Sequence, residues 1–88
     1  MTKNVDPNDV ILRKPHVVAR TGLSKTTIYL RVRNGLFTKP VPLGPRAVGW
    51  PSSEVTTLNA ARISGKSDEE IRKIVDELHS ARKNAWQG

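Results

Sequence analysis

The chain has 88 residues, with 15 Lys and Arg against 8 Asp and Glu and no cysteine, so its formal net charge is +7. This length supports one small domain and leaves no room for a deep cleft between two lobes. The lack of cysteine excludes disulfides and thiolate metal sites, and no apolar run is long enough for a membrane span or a signal peptide. We therefore expect a cytoplasmic protein with no membrane partner.

The positive charge is confined to one half of the chain. Residues 1–50 carry nine Lys and Arg against two Asp and Glu, whereas residues 51–88 carry six of each. The following basic residues succeed one another without an intervening acid: Arg13, Lys14, Arg20, Lys25, Arg31, Arg33, Lys39 and Arg46. One-sided charge of this kind attracts a polyanion. Adsorption to an anionic membrane is disfavoured because glycines break the basic stretch into short helices.

The chain divides into three parts. Residues 1–9 are polar and are expected to form a flexible N-terminal tail. Residues 10–64 carry the signals of a folded domain, and residues 65–88 those of a C-terminal helix. At the start of the domain, Val10, Ile11 and Leu12 predict either a short strand or a hydrophobic lead-in to the first helix.

The first helical signals lie between Pro15 and Gly35. Pro15 suits the first turn of a helix, and Gly22 supplies the positive φ that ends one. Ser24 is placed to cap a second helix by accepting a hydrogen bond from a backbone N–H two or three residues further on. Gly35, preceded by an asparagine, ends that second helix. This punctuation predicts a helix-turn-helix, in which the second helix is free to enter a DNA major groove.

The second helix is expected to have two unlike faces. At about 100° per residue, Ile28 and Val32 lie on one side and face the first helix. The opposite side and its flanks carry hydroxyls, an aromatic ring and a guanidinium, the groups that contact base edges and phosphates. These outward residues are Thr26, Thr27, Tyr29, Leu30 and Arg33.

Residues 36–50 predict a short hairpin. Three prolines and two glycines exclude a helix, and Gly44-Pro45-Arg46 forms a turn between two extended arms. Pro42 cannot donate a ladder hydrogen bond, so the first arm is expected at the sheet edge. A hairpin directly behind a recognition helix is a wing, and Arg46 at its tip is expected to contact DNA. The alternative is a surface loop with a solvated arginine. Phe37 and Trp50 are expected in the core.

Two helices follow. The third is expected from about Pro51 to Ile63, with Val55 and Leu58 inward, and the fourth begins at a capping box formed by Ser67 and Glu70. An apolar stripe along the fourth helix comprises Ile71, Ile74, Val75 and Leu78, extended by Ala81, Ala85 and Trp86. This helix is expected to reach about 20 residues. Its stripe either folds back on the core or pairs with a second copy, making a homodimer through residues 67–86.

The sequence offers no catalytic machinery. His16 and His79 lie far apart and no cysteine joins them, so a zinc site is not expected. No glycine-rich phosphate loop occurs. We therefore expect no enzyme, no cofactor and no metal.

The combined motifs resemble the AlpA family of small prophage regulators, which is related to the excisionases and to MerR-like winged helix-turn-helix domains. The resemblance covers roughly residues 10–60. It rests on Pro15, Thr21-Gly22-Leu23-Ser24, Thr27-Ile28-Tyr29, Gly35, Phe37, Pro40, Leu43-Gly44, Arg46, Gly49-Trp50 and Glu54-Val55. Residues 61–78 are also similar to the tail of phage-borne members. The implied fold is mainly α with a small β-hairpin: a winged helix-turn-helix with a long C-terminal helix.

The resemblance implies a transcription regulator that binds double-stranded DNA sequence-specifically, is associated with the nucleoid and controls integrase and excision genes. The expected DNA-binding residues are Ser24, Lys25, Thr26, Thr27, Tyr29, Leu30, Arg31, Arg33, Arg46, Lys14 and Lys39. One position departs from the family pattern, because Leu30 stands where a basic residue is common. Either Leu30 touches a thymine methyl, or the helix is rotated and Arg31 takes over the contact.

Two other functions fit the sequence. An excisionase-type factor would keep this fold but bend attachment-site DNA and recruit phage integrase. A protein-interaction adaptor would instead act through the C-terminal helix, with the basic half incidental. RNA binding has less support because two of the three aromatic residues in the basic half are expected to be buried.

Overall fold

The computed structural model describes residues 9–85 and contains four helices and one three-stranded sheet in that range. The elements in chain order are β1 Ile11–Arg13, α1 Lys14–Thr21, α2 Lys25–Arg33, β2 Val41–Gly44, β3 Ala47–Pro51, α3 Ser52–Ile63 and α4 Asp68–Lys83. The predicted fold class, mainly α with a small β-hairpin and a long C-terminal helix, is confirmed. The architecture is consistent with a winged helix-turn-helix.

Local signals define the pair formed by α1 and α2. Gly22 ends α1 in the left-handed region at φ 72°, and its N–H donates to the Val18 carbonyl. The Ser24 hydroxyl caps α2 by accepting a hydrogen bond from the N–H of Thr27 at 3.1 Å. Gly35, at φ 76°, follows the end of α2. Helix α1 begins at Lys14, one residue before Pro15.

The sheet has the order β1-β3-β2, with both pairs antiparallel. Strand β2 lies at an edge, as its proline requires. The segment at the start of the domain is a strand, not a lead-in, because Leu12 pairs with Trp50 across β1 and β3. The wing is therefore a three-stranded sheet, and the turn at Pro45 and Arg46 forms its tip.

Trp50 lies at the centre of the core and is completely buried. Its indole N–H donates to the Thr38 carbonyl at 2.7 Å, which satisfies the polar atom of the ring inside the core. Phe37 packs edge-on against it, with the ring centroids 6.1 Å apart. The expected core positions Val55 and Leu58 are buried as well, so β3 and α3 share this core.

Helix α3 begins at Ser52, and Pro51 before it provides no side-chain cap. Asp9 supplies the cap instead: its carboxylate accepts hydrogen bonds from the Ser52 hydroxyl at 2.7 Å and the Ser53 N–H at 2.9 Å. Burial acts to raise the pKa of Asp9, but the hydrogen bonds from Ser53 and Ser52 outweigh it and hold the pKa below its usual value. Asp9, assigned to the tail on sequence, is thus bonded to the domain, while residues 1–8 lie outside the described part.

Helix α4 folds back on the core. Its capping box is formed as predicted, with Ser67 accepting from the Glu70 N–H and the Glu70 carboxylate accepting from the Ser67 N–H. Ile71 and Val75 are buried in the core, and Ile74 and Leu78 are partly buried and pack against it. The helix spans 16 residues and ends at Lys83, shorter than expected. The next residue, an asparagine, leaves helical geometry at ψ 1°, so Ala85 lies beyond the helix; Trp86 is outside the described residues.

Candidate nucleic-acid interface

The two faces of α2 differ as the periodicity predicts. Ile28 is 1% exposed and forms part of the core. Thr26, Leu30 and Arg33 are exposed, and Leu30 keeps 50% of its surface accessible. The outer face of the helix is therefore uncovered by any described part of the chain, which is the condition for a helix to enter a DNA groove.

The outward side chains meet in one shallow depression, which we call the α2 face. It is lined by Lys25, Thr26, Tyr29, Leu30 and Arg33. Two cations, a hydroxyl and two apolar surfaces stand together without a carboxylate in the lining. This combination suits a surface with phosphates at its edges and base edges at its centre.

Lys14 joins the α2 face through Tyr29. Its ammonium lies 5.3 Å from the centroid of the Tyr29 ring, within the range of a cation–π contact. The same ring packs edge-on against Trp50, with the centroids 6.1 Å apart. The buried tryptophan thus fixes the tyrosine, and the tyrosine positions a cation contributed by α1.

Ser24 and Thr27 form hydrogen bonds that cap the start of α2. The Ser24 hydroxyl donates to the Thr27 hydroxyl at 2.9 Å while it accepts from the Thr27 N–H. Thr27 is partly buried, so it contributes less free surface than Thr26. Both residues lie at the N-terminal end of α2, where the backbone N–H groups favour a bound anion.

The structure separates the two residues that the sequence left as alternatives. Leu30 lies on the α2 face, whereas Arg31 points to the flank occupied by Arg62. Burial lowers the pKa of Arg31, and the neighbouring charge of Arg62 lowers it further, with Asp68 acting in the opposite sense. Of the two alternatives, Leu30 is the one that lines the α2 face, and its contact with DNA stays a prediction.

Arg46 and Lys39 lie on other elements. Arg46 is exposed at the tip of the wing, between β2 and β3. Lys39 is exposed in the loop that joins α2 to β2, and its backbone is held by α4. The expected residues thus fall into a compact group on α2 and α1, a single cation on the wing, and a loop lysine.

Helix α4 fastens both ends of the connection between α2 and β2, a role that the sequence analysis missed. Arg72 Nε donates to the carbonyl of Asn34 at the end of α2, at 3.0 Å. At the other end, Arg82 Nη2 donates to the Lys39 carbonyl at 2.7 Å, and His79 Nε2 accepts from the Lys39 N–H at 3.0 Å. These partners are about 40 residues apart in the chain, so no local sequence pattern predicts the contacts.

His79 is held as a neutral acceptor in this position. Its Nε2 accepts a backbone hydrogen bond, which requires that nitrogen to be unprotonated. Burial lowers the pKa of His79, and the positive charge of Arg82 lowers it further. The His79 ring therefore belongs to the scaffold of the loop and not to a metal site.

Two further features bear on the kind of protein. Within residues 9–85, no group of three His, Cys, Asp or Glu side chains is placed to hold a metal ion. None of the four described helices has the length and apolar character needed to cross a bilayer.

The fold and the α2 face define a small protein of the winged helix-turn-helix class. The chain belongs to the family described as Prophage CP4-57 regulatory protein (AlpA), whose match covers residues 10–63. The description of this family is that of a prophage regulatory protein.

A phage relative agrees with this assignment. An uncharacterized protein, ORF88 of Enterobacteria phage P4, is 47% identical to the chain over 55 residues. The aligned part covers 62% of this chain and 62% of that relative. No solved structure matches the chain significantly.

Proposed function

We propose that the protein binds duplex DNA sequence-specifically and regulates transcription at phage or prophage promoters, including those of integrase and excision genes. The observation that carries this proposal is the exposure of Thr26, Leu30 and Arg33 on a helix whose opposite side is buried. Membership of a prophage regulatory family supports the regulatory role. The site of action would be the nucleoid in the cytoplasm of the host.

In the proposed complex, α2 lies in the major groove. Its nine residues make a rod about 14 Å long, and the diameter of an α-helix with its side chains, about 10–12 Å, fits a groove about 12 Å wide. Thr26 and Leu30 then face base edges, while Lys25 and Arg33 reach phosphates on either side. Arg46, on the wing, contacts the adjacent minor groove or its phosphates.

The charge distribution supports a duplex as the partner. The excess of seven positive charges belongs to residues 1–50, which contain α1, α2 and the wing. Helix α4, by contrast, uses its stripe within the chain. Because the stripe is already packed against the core of the same chain, a homodimer through residues 67–86 is less well supported than DNA binding. The same holds for an adaptor that acts through α4. A circular-permutation gel assay for DNA bending, beside a promoter-reporter assay, distinguishes an excisionase-type factor from a transcription regulator.

Fluorescence anisotropy with duplexes selected from a random pool tests the proposal. The logarithm of the binding constant is expected to fall linearly with the logarithm of salt concentration, with a slope of about −0.9 for each phosphate contacted. Thr26→Ala is expected to change which sequences are selected. Thr56→Ala, at an exposed threonine of α3, is the matched control and leaves the selected sequences unchanged. Salt-independent binding, or equal affinity for all duplexes, would contradict sequence-specific DNA recognition.

A further inference from the structure

A hollow on another side of the molecule is not used by the proposed DNA contact. It lies between the turn joining α1 to α2, the C-terminal end of α3 and the start of α4, and has a volume of 340 Å³. The aliphatic residues of its lining are Leu23, Leu36, Leu58, Ile63 and Ile71. None of its lining residues belongs to the α2 face. We call it the arginine-rimmed hollow, after the side chains described next.

Three arginines, from three different helices, line the hollow beside these aliphatic residues: Arg20, Arg31 and Arg62. Arg62 lies 3.4 Å from the carboxylate of Asp68, while Arg20 and Arg31 form no ion pair within residues 9–85. Arg31 and Arg62 are close enough to repel each other, and Arg31 is partly buried. The folded chain therefore holds cations together beside an apolar surface with one carboxylate to offset them, an arrangement that an incoming anion would stabilise.

Ile63 exposes an apolar side chain at the same hollow. It is 87% exposed, the highest value among the large exposed hydrophobic residues of the described chain. It lines the hollow together with the buried Ile71. An aliphatic side chain inserted here would cover Ile63 and extend the core surface outward.

We propose that the arginine-rimmed hollow docks an acidic segment of a partner protein, with an aliphatic side chain in the hollow and carboxylates on the arginines. The aliphatic residues of the lining favour a peptide over a nucleic-acid backbone, because phosphates and sugars supply no side chain to fill the hollow. Arginine suits this task, since its planar guanidinium binds carboxylates through paired hydrogen bonds and stacks over apolar groups. The surface is separate from the α2 face, so a partner can be held while DNA is bound.

The test uses methyl NMR on the full chain with three synthetic hexapeptides, each acetylated and amidated. The probe has two leucines flanked on each side by two glutamates. In one control, glutamines replace the glutamates, and in the other, serines replace the leucines. Saturable shifts of the Ile63 and Ile71 methyls are expected with the probe, and at least tenfold weaker binding with each control.

Matched variants locate the binding. Arg31→Gln and the more exposed Arg20→Gln are each expected to weaken binding of the probe at least threefold. Arg33→Gln, which removes the same charge from the α2 face, leaves it unchanged. Equal shifts with all three peptides would overturn the proposal, as would an effect of Arg33→Gln as large as that of Arg31→Gln. Methyl shifts that appear only with duplex DNA would also overturn it and make the hollow a contact for the phosphate backbone.

Discussion

Arg82 on α4 holds the carboxylate of Glu54 on α3 in a two-pronged ion pair. Arg82 Nε lies 2.8 Å from Glu54 Oε2, and Nη2 lies 2.6 Å from Oε1. Glu54 is only 3% exposed. The same Nη2 also donates to the Lys39 carbonyl, so one guanidinium joins the two C-terminal helices and the loop behind α2.

Removing Arg82 is expected to destabilise the fold strongly. Arg82→Met keeps much of the side-chain volume but leaves the buried Glu54 carboxylate uncompensated, which costs about 3–5 kcal/mol of unfolding free energy. Urea denaturation at neutral pH measures the loss. Glu54→Gln combined with Arg82→Met is expected to recover part of it, since no buried charge remains. A loss below about 1 kcal/mol for Arg82→Met would show that the Glu54 carboxylate is hydrated when its partner is removed.

Stability is expected to fall as the pH drops below about 6.5, through protonation of His79. Protonation of His79 is less favourable in the folded state, because burial and the charge of Arg82 lower its pKa. The unfolded chain therefore takes up the proton at a higher pH than the folded chain. The contribution of His79 is complete above pH 6.5 and is lost as the pH falls through the folded pKa.

Urea midpoints measured between pH 5 and pH 7.5 check this dependence. His79→Gln, whose carbonyl oxygen accepts the Lys39 N–H at any pH, is expected to flatten the profile. His16→Gln is the matched control, because His16 is exposed on α1 and its replacement leaves the His79 contact in place. An unchanged profile in the His79→Gln variant would assign the dependence to another group.

Gly49→Ala is expected to destabilise the sheet by about 1–3 kcal/mol. A Cβ at this position would overlap the Ile11 side chain and lie 2.9 Å from the Leu12 carbonyl oxygen, which belongs to a paired strand and has no room to move. Gly44→Ala on β2 is the matched control, since nothing lies within 4 Å of its added Cβ. Thermal unfolding of the two variants makes the comparison, and equal melting temperatures would contradict the close packing of β1 on β3.

Leu30 is expected to read the methyl group of a thymine. Within the best selected duplex, replacing that thymine by deoxyuridine removes one methyl and should weaken binding about fourfold, the value of one buried methyl-sized group. Leu30→Ala is expected to bind the two duplexes equally well. Anisotropy measures both. If Leu30→Ala retains the preference for thymine, the methyl is read by another side chain.

Arg46→Ala is expected to weaken binding to all duplexes alike. A side chain that contacts a phosphate adds affinity without sequence preference, and its loss reduces the salt slope by about 1. Lys83→Ala removes the same charge from the exposed surface of α4 and serves as the control. A change in selected sequences with Arg46→Ala would instead indicate base contacts by the wing.

The parts of this fold that were predictable from sequence are those encoded by neighbouring residues. Gly22 requires a turn, Ser24 caps the helix that follows, and the spacing of Ser67 and Glu70 defines a capping box. Each signal acts over a few residues. The exposed side of α2 follows from the same local periodicity, and the structure bears it out.

The contacts that sequence analysis missed join distant parts of the chain. Asp9 caps a helix that begins 43 residues later, and Arg72 reaches a carbonyl 38 residues earlier. Such partners are chosen by tertiary packing, which periodicity does not describe. The direction of Arg31 was open on sequence for the same reason: its flank of α2 faces Arg62 on α3, and only the docking of helices reveals this.

The position of α4 has a consequence for synthesis of the protein. The family match ends at residue 63, yet Ile71 and Val75 complete the core and Arg82 neutralises a charge buried at Glu54. A nascent chain that has emerged from the ribosome only as far as Ile63 holds an unfinished core and an unmatched carboxylate. Competence for the proposed DNA binding should therefore arise only after α4 has left the exit tunnel.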